Sequence, residues 1–209
     1  NNRSEQTLAA FMDTYEQLFG PEKLMRGIRL LNKKNDNIGW QHLQYQHYQN
    51  PQEQGNGRAR QQVEVYGAKL SAHLNSAGDL IEIQSSCFRE FKVENKVSAG
   101  TAEIQKQLLS GLSDMEGFPK MREEMKRRKQ GLFPLMQEPR TVVYPWKGKF
   151  IYALATFGFS SYSFPADNNE DKPGKPGIAF GQMFFDAETA EMFLFAPTRK
   201  GVENPTTGS

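Results

Sequence analysis

The sequence is short of the residues that build disulfide frameworks, cysteine metal sites and membrane spans. Its 209 residues include one cysteine, Cys87, which excludes an intrachain disulfide and a cysteine-rich metal site. We interpret Cys87 as a small, partly buried side chain, the usual situation of a free cysteine. No apolar run approaches the roughly 20 residues that cross a bilayer, so we expect no membrane span.

An excess of charge of one sign is also missing. The chain has 26 basic and 24 acidic residues, a balance that does not indicate a polyanionic partner. The most basic stretch is Lys120–Gln130, in which Glu123 and Arg127 form a favourable i,i+4 pair. We interpret this stretch as a solvated helix face and predict no nucleic-acid partner. The alternative is an α+β nucleic-acid-binding protein that uses 120–129, with salt-dependent retention on DNA or heparin.

Recognisable catalytic and metal-binding motifs are absent. The chain has no His-Glu-x-x-His helix, no Gly-x-Ser-x-Gly elbow and no glycine-rich phosphate loop. His42 and His47 are five residues apart on a predicted strand, which places them on opposite faces. His47 and His73 could meet across strands beside a carboxylate such as Glu64, but the ligands are too few for a typical metal site. We predict no catalytic residue, no metal ligand, no cofactor and no enzymatic activity of the chain itself.

The clearest local pattern lies in the stretch Val63–Ile83. Alternate positions in its first half are apolar and predict one face of a strand: Tyr66, Ala68, Leu70, Ala72 and Leu74. Asn75–Asp79 supplies turn residues, with Gly78 available for a positive φ. The chain returns through Leu80, Ile81 and Ile83. We therefore predict a β-hairpin with one solvated face.

Helix and strand patterns flank this hairpin on both sides. Helical spacing of apolar residues follows Ser4 and ends before Gly20, and a second helix is predicted after Ser98, with Ile104, Leu108, Leu109 and Leu112 on one side. Further strands are predicted at Gly27–Asn32, Trp40–Gln49, Arg140–Trp146, Lys149–Tyr162, Ile178–Phe185 and Glu191–Phe195. Long polar loops are predicted at Asn50–Gln62 and Ser163–Gly177. Together these patterns predict an α+β fold of two tandem units, each with a helix packed on an antiparallel sheet.

The hairpin and the strand before it resemble the fungalysin/thermolysin propeptide motif, "hxxYQxY" followed by "VYGAxLxxHLNxxGxLxxI". The matching residues are Leu43, Tyr45, Gln46, Tyr48, Val65, Tyr66, Gly67, Ala68, Leu70, His73, Leu74, Asn75, Gly78, Leu80 and Ile83. The chain departs from the motif in the connection, because Asn50–Gln62 stands where the family usually has a few residues.

The segment FFDAETAEMFLF resembles the end of a PepSY domain, in which a strand is followed by Asp-Ala-x-Thr-Gly-Glu and another strand. Asp186, Ala187, Thr189 and Glu191 match this pattern. Ala190 stands where the family normally has glycine, so we expect a less sharp turn there.

The two resemblances, in this order, imply the propeptide region of a secreted thermolysin-like zinc metalloprotease. They imply a fungalysin/thermolysin propeptide-type domain over 1–95, a PepSY-like domain over 97–197 and a linker over 198–209, with cystatin-like or PepSY-like folds. The implied partner is the protease catalytic domain, which the propeptide helps to fold and then inhibits. The alternative is a stand-alone PepSY-type inhibitory or binding module.

The residues expected to contact the protease belong to the last hairpin and the tail. The tail is expected to lie in the protease cleft as an extended peptide. The predicted contact residues are Asp186, Thr189, Glu191, Thr198, Arg199, Lys200, Glu203, Asn204, Thr206, Thr207 and Ser209.

Overall fold

The computed structural model describes residues 3–15, 27–49, 62–88, 91–127, 131–164 and 175–198. In these ranges the chain forms three helices and eight strands. They are α1 (Arg3–Thr14), β1 (Ile28–Asn35), β2 (Gln41–Gln49), β3 (Val63–Leu74), β4 (Leu80–Ser85), α2 (Thr101–Leu112), α3 (Phe118–Arg127), β5 (Arg140–Trp146), β6 (Lys149–Phe164), β7 (Lys175–Asp186) and β8 (Met192–Pro197). The predicted loops at 50–62 and 163–177 fall mainly outside the described residues.

The eight strands belong to one mixed sheet, in the order β1-β2-β3-β5-β6-β7-β8, with β4 also paired to β3. The predicted α+β fold of two tandem helix-on-sheet units is therefore wrong, because nearly half of the described residues belong to this one large mixed sheet and the described helices are three short ones. The reason lies in β3, which is long enough for two neighbours on one edge. Its second half pairs with β4, and its first half pairs in parallel with β5 through Glu64↔Val142 and Val65↔Val143.

The described residues divide into two compact units. The first unit lies within Asn1–Glu94 and Val142–Phe150, and the second lies within Asn95–Thr141 and Ile151–Ser209. The assignment of 1–95 to a propeptide-type domain, of 97–197 to a PepSY-like domain and of 198–209 to a linker concerns family membership and stays a prediction.

In the first unit, α1 contributes to a buried apolar cluster with strands β1 to β3. Leu8 and Met12 of the helix pack with Ile28, Leu43, Tyr45, Leu70, Ala72 and Leu74. The alternation predicted for the second half of β3 is confirmed, because Leu70, Ala72 and Leu74 are buried while Lys69 is exposed. The predicted turn is also present: Asn75 donates its N–H to the carbonyl of Asp79, and Gly78 has a φ of 91°.

The first half of β3 departs from the predicted alternation. Four of its residues, 65–68, stand opposite the single residue His47 of β2, because the register passes from Gln46↔Lys69 to Tyr48↔Glu64. Gly67 adopts a φ of 74° within this bulge, a conformation that costs L-residues with a Cβ about 1–2 kcal/mol. Val65 is consequently buried, and Tyr66, which the pattern placed in the core, is only half-buried.

In the second unit, β6, β7 and β8 form an antiparallel meander. β6 and β7 pair over twelve registered positions, from Ala153↔Asp186 to Phe164↔Lys175. Helix α2 buries the predicted residues Ile104, Leu108 and Leu112. It begins after Gly100, not at the predicted cap Ser98, and the carboxylate of Glu103 accepts the Gly100 N–H at 3.0 Å.

Candidate functional site

The turn between β7 and β8 brings together three of the predicted protease-contacting residues. Asp186 closes the turn by accepting the N–H of Ala190 on its backbone carbonyl at 2.9 Å, and it donates its own N–H to the Glu191 carbonyl at 2.8 Å. Its side-chain Oδ1 accepts the backbone N–H groups of Glu188 and Thr189, at 2.7 and 3.1 Å. The Asp186 carboxylate therefore organises the turn, in the manner of an aspartate that bonds the backbone just ahead of it.

Asn95 ties this turn to the neighbouring strand. Its side-chain Nδ2 donates to the Tyr152 carbonyl at 3.0 Å and lies 3.3 Å from each carboxylate oxygen of Asp186. Its Oδ1 accepts the Tyr152 N–H at 2.6 Å. Asp186 is thus engaged within the fold, while the side chains of Thr189 and Glu191 are exposed and available to a partner.

Ala190 occupies the position where the PepSY pattern normally has glycine. It adopts a φ of 63°, the left-handed conformation that glycine enters most readily. Alanine therefore supplies the left-handed residue, and its N–H donates to the Asp186 carbonyl at 2.9 Å. That the turn is less sharp than one with glycine stays a prediction. Hydrogen bonds from Ser98 and Ala99 to the carbonyl of Ala187 add further support to this turn.

Thr198, the one described residue of the tail, is not part of this turn. Thr198 follows β8, seven residues beyond Glu191, or about 20 Å at the rise of an extended strand. Its N–H and its hydroxyl both donate to the Phe180 carbonyl at 3.0 Å. The other predicted tail contacts, Arg199, Lys200, Glu203, Asn204, Thr206, Thr207 and Ser209, lie outside the described residues, so their role stays a prediction.

The bulge in β3 gathers several residues of the propeptide-type motif. Gln46 of β2 is 3% exposed, and its side-chain amide donates to the carbonyls of Val65 and Ala68, at 2.7 and 2.9 Å. These are carbonyls on either side of Gly67, where pairing with β2 is interrupted. On the other side, the hydroxyl of Ser86 donates to the carbonyl of Gly67 at 2.8 Å. The motif's glutamine and glycine therefore stabilise the same bulge.

Two histidines meet on the solvated face of the first unit, in a pairing that sequence reasoning missed. His42 and His73 are registered partners on β2 and β3, and their Nδ1 atoms are 2.6 Å apart. The pairing of His47 with His73 that the sequence suggested is wrong, because the bulge puts His47 opposite residues 65–68. Because the connection 50–62 is long and its sequence contains no recognisable tight turn, the register between β2 and β3 could not be predicted.

Asp36 holds one of these two histidines. Its Oδ2 lies 3.2 Å from Nε2 of His42, and its Oδ1 accepts the N–H groups of Ile38 and Trp40 at 3.0 and 2.9 Å. Desolvation opposes ionisation of Asp36, but the hydrogen bonds from Trp40, His42 and Ile38 outweigh it and lower the pKa of the carboxyl.

The remaining histidine and the cysteine are in apolar surroundings. His47 is buried, its Nδ1 has no hydrogen-bond partner, and desolvation lowers its pKa. Desolvation raises the pKa of the Cys87 thiol, against a smaller opposing effect of a hydrogen bond from Ser85. A cysteine with a raised pKa has little thiolate at neutral pH and is a poor nucleophile.

Metal-ligand clusters and membrane-spanning helices are both absent from the described ranges. Within them, no group of three or more His, Cys, Asp and Glu side chains is placed to hold a metal ion. None of the helices seen there is both long and apolar enough to cross a membrane. The part of the basic stretch that is described, in α3, pairs Lys126 with Glu123 at 2.8 Å.

No protein-family model matches the chain, and no curated protein matches it. The family resemblance accordingly depends on the motif residues and on what those residues do in the fold.

Proposed function

We propose that this chain is the propeptide region of a secreted thermolysin-like zinc metalloprotease. It assists the folding of the catalytic domain, inhibits that domain until processing, and has no catalytic activity of its own. The observation that carries the proposal is that the side chain of Gln46 hydrogen-bonds the backbone carbonyls on both sides of the bulge at Gly67. Both residues belong to the motif, and a chance match among common strand residues would give no reason for them to act together.

The second support is the turn that starts at Asp186. The residues that match the PepSY pattern are the ones that build it: Asp186 bonds the backbone ahead of it, and Thr189 Oγ1 accepts the Glu191 N–H at 3.2 Å. Ala190 supplies the left-handed residue that the pattern normally gives to glycine. Both resemblances therefore rest on residues with a defined structural use, in the order expected of such a propeptide.

The physical basis of both activities is linkage between binding and folding. A segment that binds only the native catalytic domain stabilises it by RT ln(1 + [L]/Kd), which is about 2.7 kcal/mol when [L] is 100 times Kd. A covalent tether makes the effective concentration roughly millimolar, so even a micromolar intrinsic affinity is sufficient. Cleavage of the tether lowers that concentration and releases the protease.

The surface proposed to contact the protease comprises the exposed turn and the tail. Thr189 and Glu191 are exposed beside the fixed Asp186 carboxylate. The tail, 198–209, is proposed to occupy the protease cleft as an added strand, an arrangement that supplies backbone hydrogen bonds without requiring a particular side chain.

The test is inhibition and assisted refolding in trans. The purified chain is added to an unfolded thermolysin-like catalytic domain, and to the same domain when active, and the recovered and residual activities are measured. We expect recovery to rise and activity to fall with increasing concentration of the chain. A chain lacking 199–209 should lose inhibition while it still assists refolding, and Thr189→Ala with Glu191→Ala should weaken both effects.

A chain with Ile81→Ala, a change at an exposed residue of β4 far along the sequence from the turn, serves as the matched control. Unchanged protease recovery and activity at every concentration, with the catalytic domain encoded downstream of this chain, would overturn the proposal. Inhibition without any downstream His-Glu-x-x-His domain would favour the stand-alone inhibitory module.

A further inference from the structure

The His42 and His73 side chains form a two-nitrogen cluster that the proposed function does not use. Their rings meet edge to face, with centroids 4.8 Å apart and an interplanar angle of 75°. The two Nδ1 atoms, 2.6 Å apart, face each other on the side of the sheet opposite the α1 core, and a third of the His42 side chain is exposed. This separation is that of a hydrogen bond, in which one Nδ1 carries the proton and donates it to the other.

Asp36 determines which nitrogen of His42 offers its lone pair. The carboxylate accepts a hydrogen bond from Nε2–H of His42, which keeps the ring proton on Nε2 and leaves Nδ1 unprotonated. The backbone N–H groups of Ile38 and Trp40 fix the carboxylate through its other oxygen. A carboxylate behind a histidine in this way is the usual support of a metal-ligating imidazole.

We propose that Nδ1 of His42 and Nδ1 of His73 are adjacent ligands of a divalent transition-metal ion, Cu²⁺ foremost, with water in the other positions. In the metal-free neutral pair, His73 supplies the single proton between the rings. Binding of the ion shifts that proton through solvent to Nε2 of His73 and frees the Nδ1 lone pair, so binding to the neutral pair releases no net proton.

The distance between the nitrogens favours Cu²⁺ over Zn²⁺. Two nitrogens each about 2.0 Å from one ion are about 2.8 Å apart at a right angle, and about 3.3 Å apart at the tetrahedral angle. The hydrogen-bonded nitrogens are 2.6 Å apart, so they need to separate by only about 0.2 Å to reach the right angle of a tetragonal Cu²⁺ site, against about 0.7 Å for the tetrahedral angle. Cu²⁺ is also the ion that nitrogen ligands bind most strongly among the divalent first-row metals.

The charged residues around the pair favour a cation on balance. Lys34 on β1 is registered beside His42, and Glu82 on β4 is registered beside His73. Asp36, at the end of β1, adds a second carboxylate. The two carboxylates, of Asp36 and Glu82, outnumber the one ammonium group, of Lys34, so the local net charge is negative and attracts a divalent cation.

The experiment is a Cu²⁺ titration of the full chain, followed by calorimetry and by electron paramagnetic resonance at one equivalent. We expect hyperfine splitting from two equivalent imidazole nitrogens, and weaker binding of Zn²⁺. The variants His42→Gln and His73→Gln should each lose the two-nitrogen spectrum, and the double variant gives the background from other sites. His47→Phe, at the buried third histidine, is the control that should keep the spectrum.

Asp36→Asn tests the positioning role without removing a ligand. Asparagine can still accept the turn's N–H groups on its oxygen, but its NH₂ group cannot accept the Nε2–H of His42. We expect affinity for Cu²⁺ to fall about 10–100-fold, the usual effect of losing such a support. The proposal is overturned if the double histidine variant binds Cu²⁺ as tightly as the unmodified chain, or if the spectrum shows fewer than two nitrogens. Tighter binding of Zn²⁺ would overturn the assignment to Cu²⁺.

Discussion

Gln46 offers a direct test of the bulge in which the motif residues meet. Its amide gives short hydrogen bonds to the carbonyls of Val65 and Ala68, and the side chain is 3% exposed. Gln46→Met keeps nearly the same volume and removes the donor. Each buried carbonyl left without a partner costs about 1–3 kcal/mol, so the two together predict a loss of about 2–6 kcal/mol in the free energy of unfolding.

Gln44→Met is the matched control, because Gln44 lies two residues away on the same strand and is exposed. We expect its effect to stay within about 0.5 kcal/mol. The assay is urea unfolding followed by circular dichroism: with a slope of about 2 kcal/mol/M, a loss of 3 kcal/mol lowers the midpoint by about 1.5 M. If the two variants unfold at the same urea concentration, the amide does not stabilise the bulge and the reasoning fails.

Three further predictions concern other parts of the chain, and each is checked by urea unfolding. Gly158→Ala would place a methyl carbon 2.6 Å from a backbone carbonyl oxygen and should cost about 1–3 kcal/mol, while Gly131→Ala, with open space around it, should change stability by less than about 0.5 kcal/mol. His47 has a lowered pKa because it is buried, so the unfolded chain binds its proton more readily; stability should fall as pH drops below about 6.5, and His47→Phe should remove that part of the slope. Asn95→Ala should lower the free energy of unfolding by about 1–3 kcal/mol, because the Tyr152 carbonyl and the Asp186 carboxylate both lose the Asn95 amide as a hydrogen-bond donor. An unchanged urea midpoint would contradict this.

Short-range patterns in the sequence were sufficient to predict the second half of β3, its turn and β4. There the strands are joined by five residues, and the alternation of apolar side chains fixes which face is buried. The same alternation fails at Tyr66, because the extra residues of the bulge change the face on which each side chain lies. Gly67 could have located the bulge, since a glycine inside a strand pattern commonly marks one.

The overall sheet was beyond reach of these patterns for a different reason. The pairing of β3 with β5 is parallel and joins residues almost 80 positions apart, with two helices and β4 between them. No turn sets the register of such a pair, and Val142 and Val143 would suit the interior of either a separate sheet or a shared one. The prediction of two separate sheets followed from treating neighbours in sequence as neighbours in space.

The two candidate sites differ in the same way, since one depends on local sequence and the other on long-range strand pairing. The turn at Asp186 could be predicted because the hydrogen bonds that Asp186 makes to the backbone lie within five residues, whereas the support from Asn95, Ser98 and Ala99, in an earlier segment, could not. The pair of His42 and His73 depends on the register across the long connection 50–62 and could not be predicted. Short motifs therefore identify residues that shape the backbone locally, whereas a cluster such as the histidine pair emerges only when strands far apart in sequence are aligned, and its chemistry has to be tested independently of the family resemblance.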